Sequence, residues 1–131
     1  MASILKVDAM QGVTSAGDIT ITSEGGAATQ SLQQGLAKMF HVFNGEGTVS
    51  TSDSFNVSSL TDIGTGDYTT TFSSAFSSVN FSNSANNNYY GYGETQAKTT
   101  TTVRNRVRGN STYSTLTDTS VIDLSNHGDL A

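Results

Sequence analysis

The chain has 131 residues, a formal net charge of −5 at pH 7, and no cysteine, proline or tryptophan. This length is typical of one domain, the lack of cysteine excludes disulfides and thiolate metal sites, and the acidic balance argues against nucleic acid as a partner. Leu, Ile, Val and Phe make up about a fifth of the chain against 19 Ser and 20 Thr, which predicts a thin β structure whose core is completed by copies of itself.

The first 45 residues carry two strand patterns and one helix pattern. Residues 4–8 form the first, a short predicted strand. Residues 18–22 alternate apolar and hydroxyl side chains, which predicts a half-buried strand. Apolar residues then recur at helical spacing, which predicts a short amphipathic helix that ends at Asn44 and Gly45. This stripe consists of Leu32, Leu36, Met39, Phe40 and Phe43. The helix either forms a contact between chains or lies across its own sheet, and we take residues 1–45 as an N-terminal strand and helix region for oligomerisation.

Residues 46–131 have a β pattern throughout. Residues 49–57 alternate with a period of two, and residues 60–68 have a strand, turn, strand pattern around two glycines. Residues 82–88 form a predicted polar loop, residues 99–108 the longest strand pattern, and further short strands are predicted at 113–119 and 121–124. Together these features predict a mainly β fold: a small antiparallel β-sandwich over 46–131, with an N-terminal strand region and one short amphipathic helix before it.

Three arginines, Arg104, Arg106 and Arg108, point from one face of the longest predicted strand. They are suited to an anionic glycan or to acidic residues of a neighbouring chain, whereas the simpler interpretation is that they protect an edge strand from unwanted pairing. The two histidines are far apart in the chain. We expect His41 on the helix surface or at a subunit contact, and His127 to make surface or inter-subunit hydrogen bonds, so we predict no catalytic residues, metal or cofactor.

An asparagine and tyrosine segment follows the predicted polar loop. Tyrosine offers a flat face with a hydroxyl at its tip, and asparagine offers both donors and acceptors, a combination suited to carbohydrate or protein surfaces. The alternative is that the tyrosines pack on the sheet and the asparagines form a turn. The candidate contact residues are Asn86, Asn87, Asn88, Tyr89, Tyr90 and Tyr92.

Six segments of the chain carry a further signal: SILKVD (3–8), GDITIT (17–22), FNGEGTV (43–49), DSFNVSSLTD (53–62), GTGDYT (64–69) and HGDLA (127–131). They resemble segments of the tail-fibre and virion-appendage proteins of tailed bacteriophages, especially marine phages of cyanobacteria and related hosts. The opening of the chain is similar to the opening of those proteins, the segments around residues 43–69 are similar to a β module widespread in them, and the chain end is similar to theirs.

The resemblance implies a non-enzymatic structural protein of the virion, a homotrimer made in the host cytoplasm and displayed on the particle surface. With no extended shaft, it would be a short tail-fibre-like appendage that contacts other virion proteins and contributes to host attachment, with a host surface glycan as a partner. One alternative is a head decoration protein that stabilises the capsid, and another is a glycan-binding module. The first residues lack the pattern of a signal peptide or membrane span, so we expect no membrane insertion.

Overall fold

The structure is a computed structural model and describes residues 5–13, 19–23, 25–88, 93–109 and 114–131. Within these ranges the chain forms ten β-strands and one helical turn, which confirms the predicted mainly β class. Contacts along the chain divide it into two compact units, unit 1 (Met1–Leu36) and unit 2 (Ala37–Ala131).

Unit 1 contains a small antiparallel hairpin followed by a helical turn. Its strands are β1 (Thr20–Thr22) and β2 (Thr29–Ser31). Ser23 organises the turn between them, because its N–H donates to the carbonyl of Ala28 and its hydroxyl accepts from the N–H of Ala28. The chain then makes a single helical turn, α1 (Leu32–Gly35). Nearly every strand residue of this hairpin is exposed, so the hairpin buries little apolar surface of its own.

Unit 2 contains eight strands, β3 (Met39–Asn44), β4 (Ser50–Phe55), β5 (Val57–Gly64), β6 (Asp67–Phe72), β7 (Ser82–Asn87), β8 (Gly93–Lys98), β9 (Thr102–Val107) and β10 (Ile122–His127). They form two four-stranded antiparallel sheets. Sheet I has the order β4-β3-β10-β7, and sheet II has the order β5-β6-β9-β8. Buried side chains from both sheets form one core, so the predicted antiparallel β-sandwich is confirmed.

The two sheets are connected along both pairs of edges. The edge strands β4 and β5 are separated by the single residue Asn56, and the opposite edge strands, β7 and β8, also follow each other in the chain. Asn56 has a φ of 58°, in the left-handed region that asparagine tolerates better than most residues. Its side chain fixes this corner, because Oδ1 accepts from the N–H of Ser74 at 2.6 Å and Nδ2 donates to the carbonyl of Lys38 at 3.1 Å.

The core between the sheets follows the strand period of two. In β3, for example, Met39, His41 and Phe43 are buried while Phe40 is exposed. Burial of one large apolar side chain contributes about 1.5–3 kcal/mol, so this single cluster is the main source of stability in unit 2. Its members are Met39, Phe43, Tyr68, Phe72, Phe76, Phe81, Val103, Val107, Ile122 and Leu124.

The predicted amphipathic helix is wrong. Of its apolar stripe, Met39 and Phe43 lie on β3 and are 0% and 1% exposed, which makes them core residues of this chain. Leu36 and Phe40 are 53% and 37% exposed, and Leu32, in α1, is half-buried. The reason is that β3 pairs with both β4 and β10, and these two ladders outweigh the weak helix propensity of a segment rich in Phe, His, Val and Asn.

The pairing of β3 also moves the division of the chain. The sequence pattern predicts the boundary between the N-terminal region and the β-sandwich at residue 45, whereas the residue contacts of the structure place the boundary between Leu36 and Ala37. The physical reason is that β3 is an inner strand of sheet I and supplies Met39 and Phe43 to the core. The sandwich therefore includes residues that the sequence pattern assigned to the N-terminal region.

Three further segments differ from their predicted structure. Residues 5–8, the described part of the predicted strand at 4–8, form no strand. The predicted polar loop at 82–88 is mostly strand β7, whose inward residues are Asn83, Ala85 and Asn87. Because two of these three residues are polar, the strand shows no apolar alternation in the sequence. The described part of the predicted strand at 113–119 is not a strand, and Leu116 makes only an isolated bridge.

Candidate functional site

One end of unit 2 gathers four of the connections between its strands. Because the strands are antiparallel, the links β3 to β4, β5 to β6, β7 to β8 and β9 to β10 all lie at this end. The chain enters unit 2 at Ala37, at the opposite end. We call this group of connections the loop end, and its described residues are 45–49, 65–66, 88, 108–109 and 114–121. Loops held on a rigid sandwich are the usual place for binding residues in folds of this type.

Asp118 connects three of these four links. Its Oδ1 accepts hydrogen bonds from the Tyr68 hydroxyl and from the N–H of Gly66, both at 2.7 Å. The same hydroxyl lies 2.9 Å from the carbonyl oxygen of Gly45, whose N–H donates to the carbonyl of Thr119 at 2.9 Å. Burial, and then the hydrogen bond to Asp118, raise the pKa of the Tyr68 hydroxyl above its ordinary value, so this group remains a donor. These hydrogen bonds tie the described parts of three loop-end links to one another.

Gly66 is the closest contact between the β5 to β6 turn and the β9 to β10 link. Its φ is 61°, in the left-handed region that favours glycine. A Cβ at this position would lie 2.6 Å from the backbone nitrogen of Thr117 and 2.7 Å from the carbonyl oxygen of Val107. The turn needs glycine here for two reasons, its backbone conformation and the space that the neighbouring backbone occupies.

The asparagines predicted as surface contacts are mostly bonded to their own chain. Asn88 Nδ2 donates to the Ser120 hydroxyl at 3.0 Å, and Asn88 Oδ1 accepts from the N–H of Val121 at 3.3 Å. Asn86 Nδ2 donates to Asp123 at 3.3 Å. These contacts hold the end of β7 and Asn88 against the start of β10.

Of the other predicted contact residues, only Asn87 is described by the structure. Asn87 is half-buried on the inner side of β7. Tyr89, Tyr90 and Tyr92 lie outside the described residues. The structure therefore brings Asn86 and Asn88 to the loop end and turns Asn87 inward.

The three arginines lie on the outer face of sheet II, where acidic residues of the same chain face them. Arg104 donates to both carboxylate oxygens of Asp67, at 2.7 and 2.8 Å, and Arg106 donates to the same carboxylate at 3.0 Å. Arg108 donates to Glu94 at 2.9 Å. The hydrogen bond from Arg104 is the largest cause that holds the pKa of Asp67 below its ordinary value, and Arg106 adds to it.

The interpretation of these arginines as protection of an edge strand is wrong. They lie on or next to β9, which is an inner strand between β6 and β8. An inner strand has both of its backbone edges paired and needs no protection. The arginines act instead as a clamp across sheet II, because Asp67 on β6 and Glu94 on β8 are cross-strand neighbours of Arg106.

His41 is inside the sandwich and not on a helix surface or at a subunit contact. Its Nδ1 and Nε2 lie 2.9 Å from the hydroxyl oxygens of Thr70 and Thr51, so both ring nitrogens have partners. Thr70 belongs to sheet II, which makes His41 a polar bridge between the two sheets. Removal from water disfavours the charged imidazolium and lowers the pKa of His41 to about 4.

Nothing in the sequence marks Tyr68 or Asp118 as residues that organise the loop end. Tyr68 follows a turn signal and shares the inward face of its strand with Thr70 and Phe72, so the pattern alone indicates a core residue. Asp118 lies in a hydroxyl-rich segment without periodicity. Their hydrogen bond joins residues fifty positions apart, and a single sequence gives no local signal for such a contact.

Comparison with family models, curated proteins and solved structures gives no match for this chain. Among the described residues, no group of three or more His, Cys, Asp or Glu side chains is placed to hold a metal ion. None of the helical segments in the described part of the chain has the length and apolar character required to span a membrane.

Proposed function

We propose that this chain is a non-enzymatic structural protein of a bacteriophage particle, a short tail-fibre-like appendage that is attached through unit 1 and exposes the loop end of unit 2. The observation that carries the proposal is the position of the loop end, which lies opposite the point where the chain enters the sandwich. A module with this topology can be anchored by one end while it presents the other. The sequence resemblance to phage tail-fibre proteins supports the same assignment.

Unit 1 is suited to contacts with other chains. Leu5, Val7 and Met10 are 80%, 53% and 58% exposed, and Ile21 in the hairpin is half exposed. A two-stranded hairpin is at best marginally stable alone in water, and so short a segment normally needs a partner surface to complete its core. We propose that this surface comes from two further copies, in the homotrimer that the resemblance implies, and from a neighbouring virion protein.

Electron microscopy of phage particles tests where this protein lies on the particle. An antibody to unit 2, applied to purified particles and examined by electron microscopy, should label the tail, and labels at a distance from the tail surface would agree with an exposed loop end. Label confined to the head would replace the tail appendage with a capsid decoration protein. Particles without label would contradict a place in the virion, provided that the same antibody binds the purified protein.

Native mass spectrometry of the full chain at micromolar concentration tests the trimer. The double variant Leu5→Ser with Val7→Ser should weaken association by about two orders of magnitude for each chain in the trimer, because each lost apolar contact costs about 1.5 kcal/mol or more. Ile63→Ser with Val79→Ser removes two comparably exposed apolar side chains from unit 2 and is the matched control, with an unchanged oligomeric mass. A wild-type monomer, or a trimer that is equally stable in both variants, would overturn the role of unit 1.

A further inference from the structure

Three asparagines meet inside the sandwich, away from the loop end. Asn83 on β7 and Asn126 on β10 are direct cross-strand partners in sheet I, and both side chains point inward. Asn105 belongs to β9 of sheet II, and its Oδ1 accepts a hydrogen bond from Asn83 Nδ2 at 2.6 Å. We call these three residues the asparagine seam, because they connect the sheets at a point where most β-sandwiches have only apolar side chains.

Two of the three seam residues are deeply buried, Asn83 is half-buried, and the hydrogen bonding of the seam is incomplete. Asn126 and Asn105 are 0% and 1% exposed. Four amide atoms of the seam have no hydrogen-bond partner among the residues that the structure describes, and they are Asn83 Oδ1, Asn105 Nδ2, Asn126 Nδ2 and Asn126 Oδ1. Buried amides in native proteins are almost always hydrogen-bonded, because the loss of their bonds to water is not otherwise offset.

The seam keeps four amide atoms without hydrogen-bond partners even if the oxygen and nitrogen of an asparagine amide are exchanged. Exchange of the two amide atoms of Asn126 leaves both of its positions without a partner. A joint exchange in Asn83 and Asn105 keeps the contact between them and again leaves one unpartnered position on each residue. The seam therefore presents two donor groups and two acceptor oxygens in every arrangement that preserves the Asn83 to Asn105 hydrogen bond.

The chemistry of this set identifies the ligand. Its groups are neutral, and donors and acceptors are balanced, which does not favour an anion or a cation. A water molecule donates two hydrogen bonds and accepts two, and waters buried in proteins typically make about three bonds to such groups. We propose that the asparagine seam is a binding site for ordered internal water, which joins Asn126 in sheet I to Asn105 in sheet II and so fixes the alignment of the two sheets.

Water-protein cross-relaxation in NMR spectra of the full wild-type chain tests the site. The side-chain amide protons of Asn105 and Asn126 should show cross-peaks to water with the sign expected of a molecule bound for longer than the tumbling time of the protein. Oxygen-17 relaxation dispersion should detect the same long-lived water. Wild-type spectra without such water would overturn the proposal, and this measurement needs no variant to fold.

Variants then locate the water. Asn126→Leu has a similar volume but no polar side-chain atoms, and it should remove or reduce the long-lived water signal and lower the midpoint of thermal unfolding, because the water loses two of its partners. Asn80→Leu, at an exposed asparagine, is the matched control and should retain the signal. A higher unfolding midpoint in Asn126→Leu with an unchanged water signal would show that the seam does not bind the water, and would overturn the assignment.

Discussion

The Tyr68 hydroxyl donates a 2.7 Å hydrogen bond to Asp118, fifty residues further along the chain. The bond joins the second residue of β6 to the long link between β9 and β10, and the same carboxylate oxygen accepts a hydrogen bond from the N–H of Gly66. A hydrogen bond to a charged acceptor in a partly buried site contributes more than one between neutral exposed groups. We therefore expect the contact between Tyr68 and Asp118 to contribute to the stability of unit 2.

Tyr68→Phe should lower the free energy of unfolding by about 1.5–3 kcal/mol, because it removes the donor and leaves the Asp118 oxygen with one partner fewer. Urea denaturation measures the change. Asp118→Asn should have an effect of the same order, whereas Asp123→Asn, at a half-buried carboxylate on the outer face of sheet I, should change stability by less than about 1 kcal/mol. Equal effects of the Asp118 and Asp123 variants would contradict the special role of the Tyr68 contact.

His41 should make stability depend on pH. Its pKa in the folded chain is about 4, below the ordinary value of 6.5, so the unfolded chain takes up a proton first as the pH falls. The stability that folding gains from keeping His41 neutral is fully present above about pH 6.5. It is lost as the pH falls from 6.5 to 4, and it changes no further below pH 4. The total loss corresponds to about 3 kcal/mol.

Urea midpoints measured at several pH values between 7.5 and 4 test this dependence. The wild type should lose stability steadily below pH 6.5, and His41→Gln should show a much flatter profile over the same range. His127→Gln, at an exposed histidine, is the control and should follow the wild-type profile. A His41→Gln profile as steep as that of the wild type would show that another group causes the loss.

Asp67→Asn should destabilise the sandwich more than Glu94→Gln. The Asp67 side chain is 8% exposed and accepts from two arginines, whereas the Glu94 side chain is 37% exposed and faces one. We expect a loss of about 1.5–3 kcal/mol for Asp67→Asn and of at most about 1 kcal/mol for Glu94→Gln. Thermal unfolding at low salt and at 1 M salt measures the stability loss of each variant. The loss in Glu94→Gln should depend more strongly on salt, because the Glu94 carboxylate is more exposed.

Gly66→Ala and Gly47→Ala separate backbone conformation from crowding. Both glycines have a left-handed φ, 61° for Gly66 and 64° for Gly47, but a Cβ on Gly47 would meet no atom within 4 Å. Gly47→Ala should therefore cost only the conformational penalty, about 1–2 kcal/mol. Gly66→Ala should cost clearly more in the same unfolding measurement, because Thr117 and Val107 must also move. Equal losses would indicate that the backbone at Gly66 has room to adjust.

Much of unit 2 is predictable from local pattern. The hairpin of β5 and β6 was predicted from glycine spacing around residues 64–66, and β9 from the alternation of valine and arginine. The helix prediction failed at β3 for a physical reason. Phe40 and Val42 are apolar residues on the outer face, while the inward residue His41 is polar, so the period of two is hidden and the spacing of Leu36, Met39 and Phe43 imitates a helix.

The interior polar contacts were not predictable in this way. The inward positions Asn83, Asn105 and Asn126 have the side chains of a turn or a surface, and only the pairing of distant strands places them between the sheets. The salt bridges of Asp67 have the same origin, since the register of β6 against β9 brings this first residue of β6 next to Arg104 and Arg106. Long-range register is information that one sequence does not display.

The place where the chain enters the sandwich has a mechanical consequence. The first strand after Ala37 is β3, an inner strand hydrogen-bonded along both sides to β4 and β10. A force applied at Ala37 along β3 loads the ladders with β4 and β10 in shear, so it must break many hydrogen bonds at once instead of peeling an edge strand one bond at a time. A sandwich connected in this way is suited to carrying tension along its length.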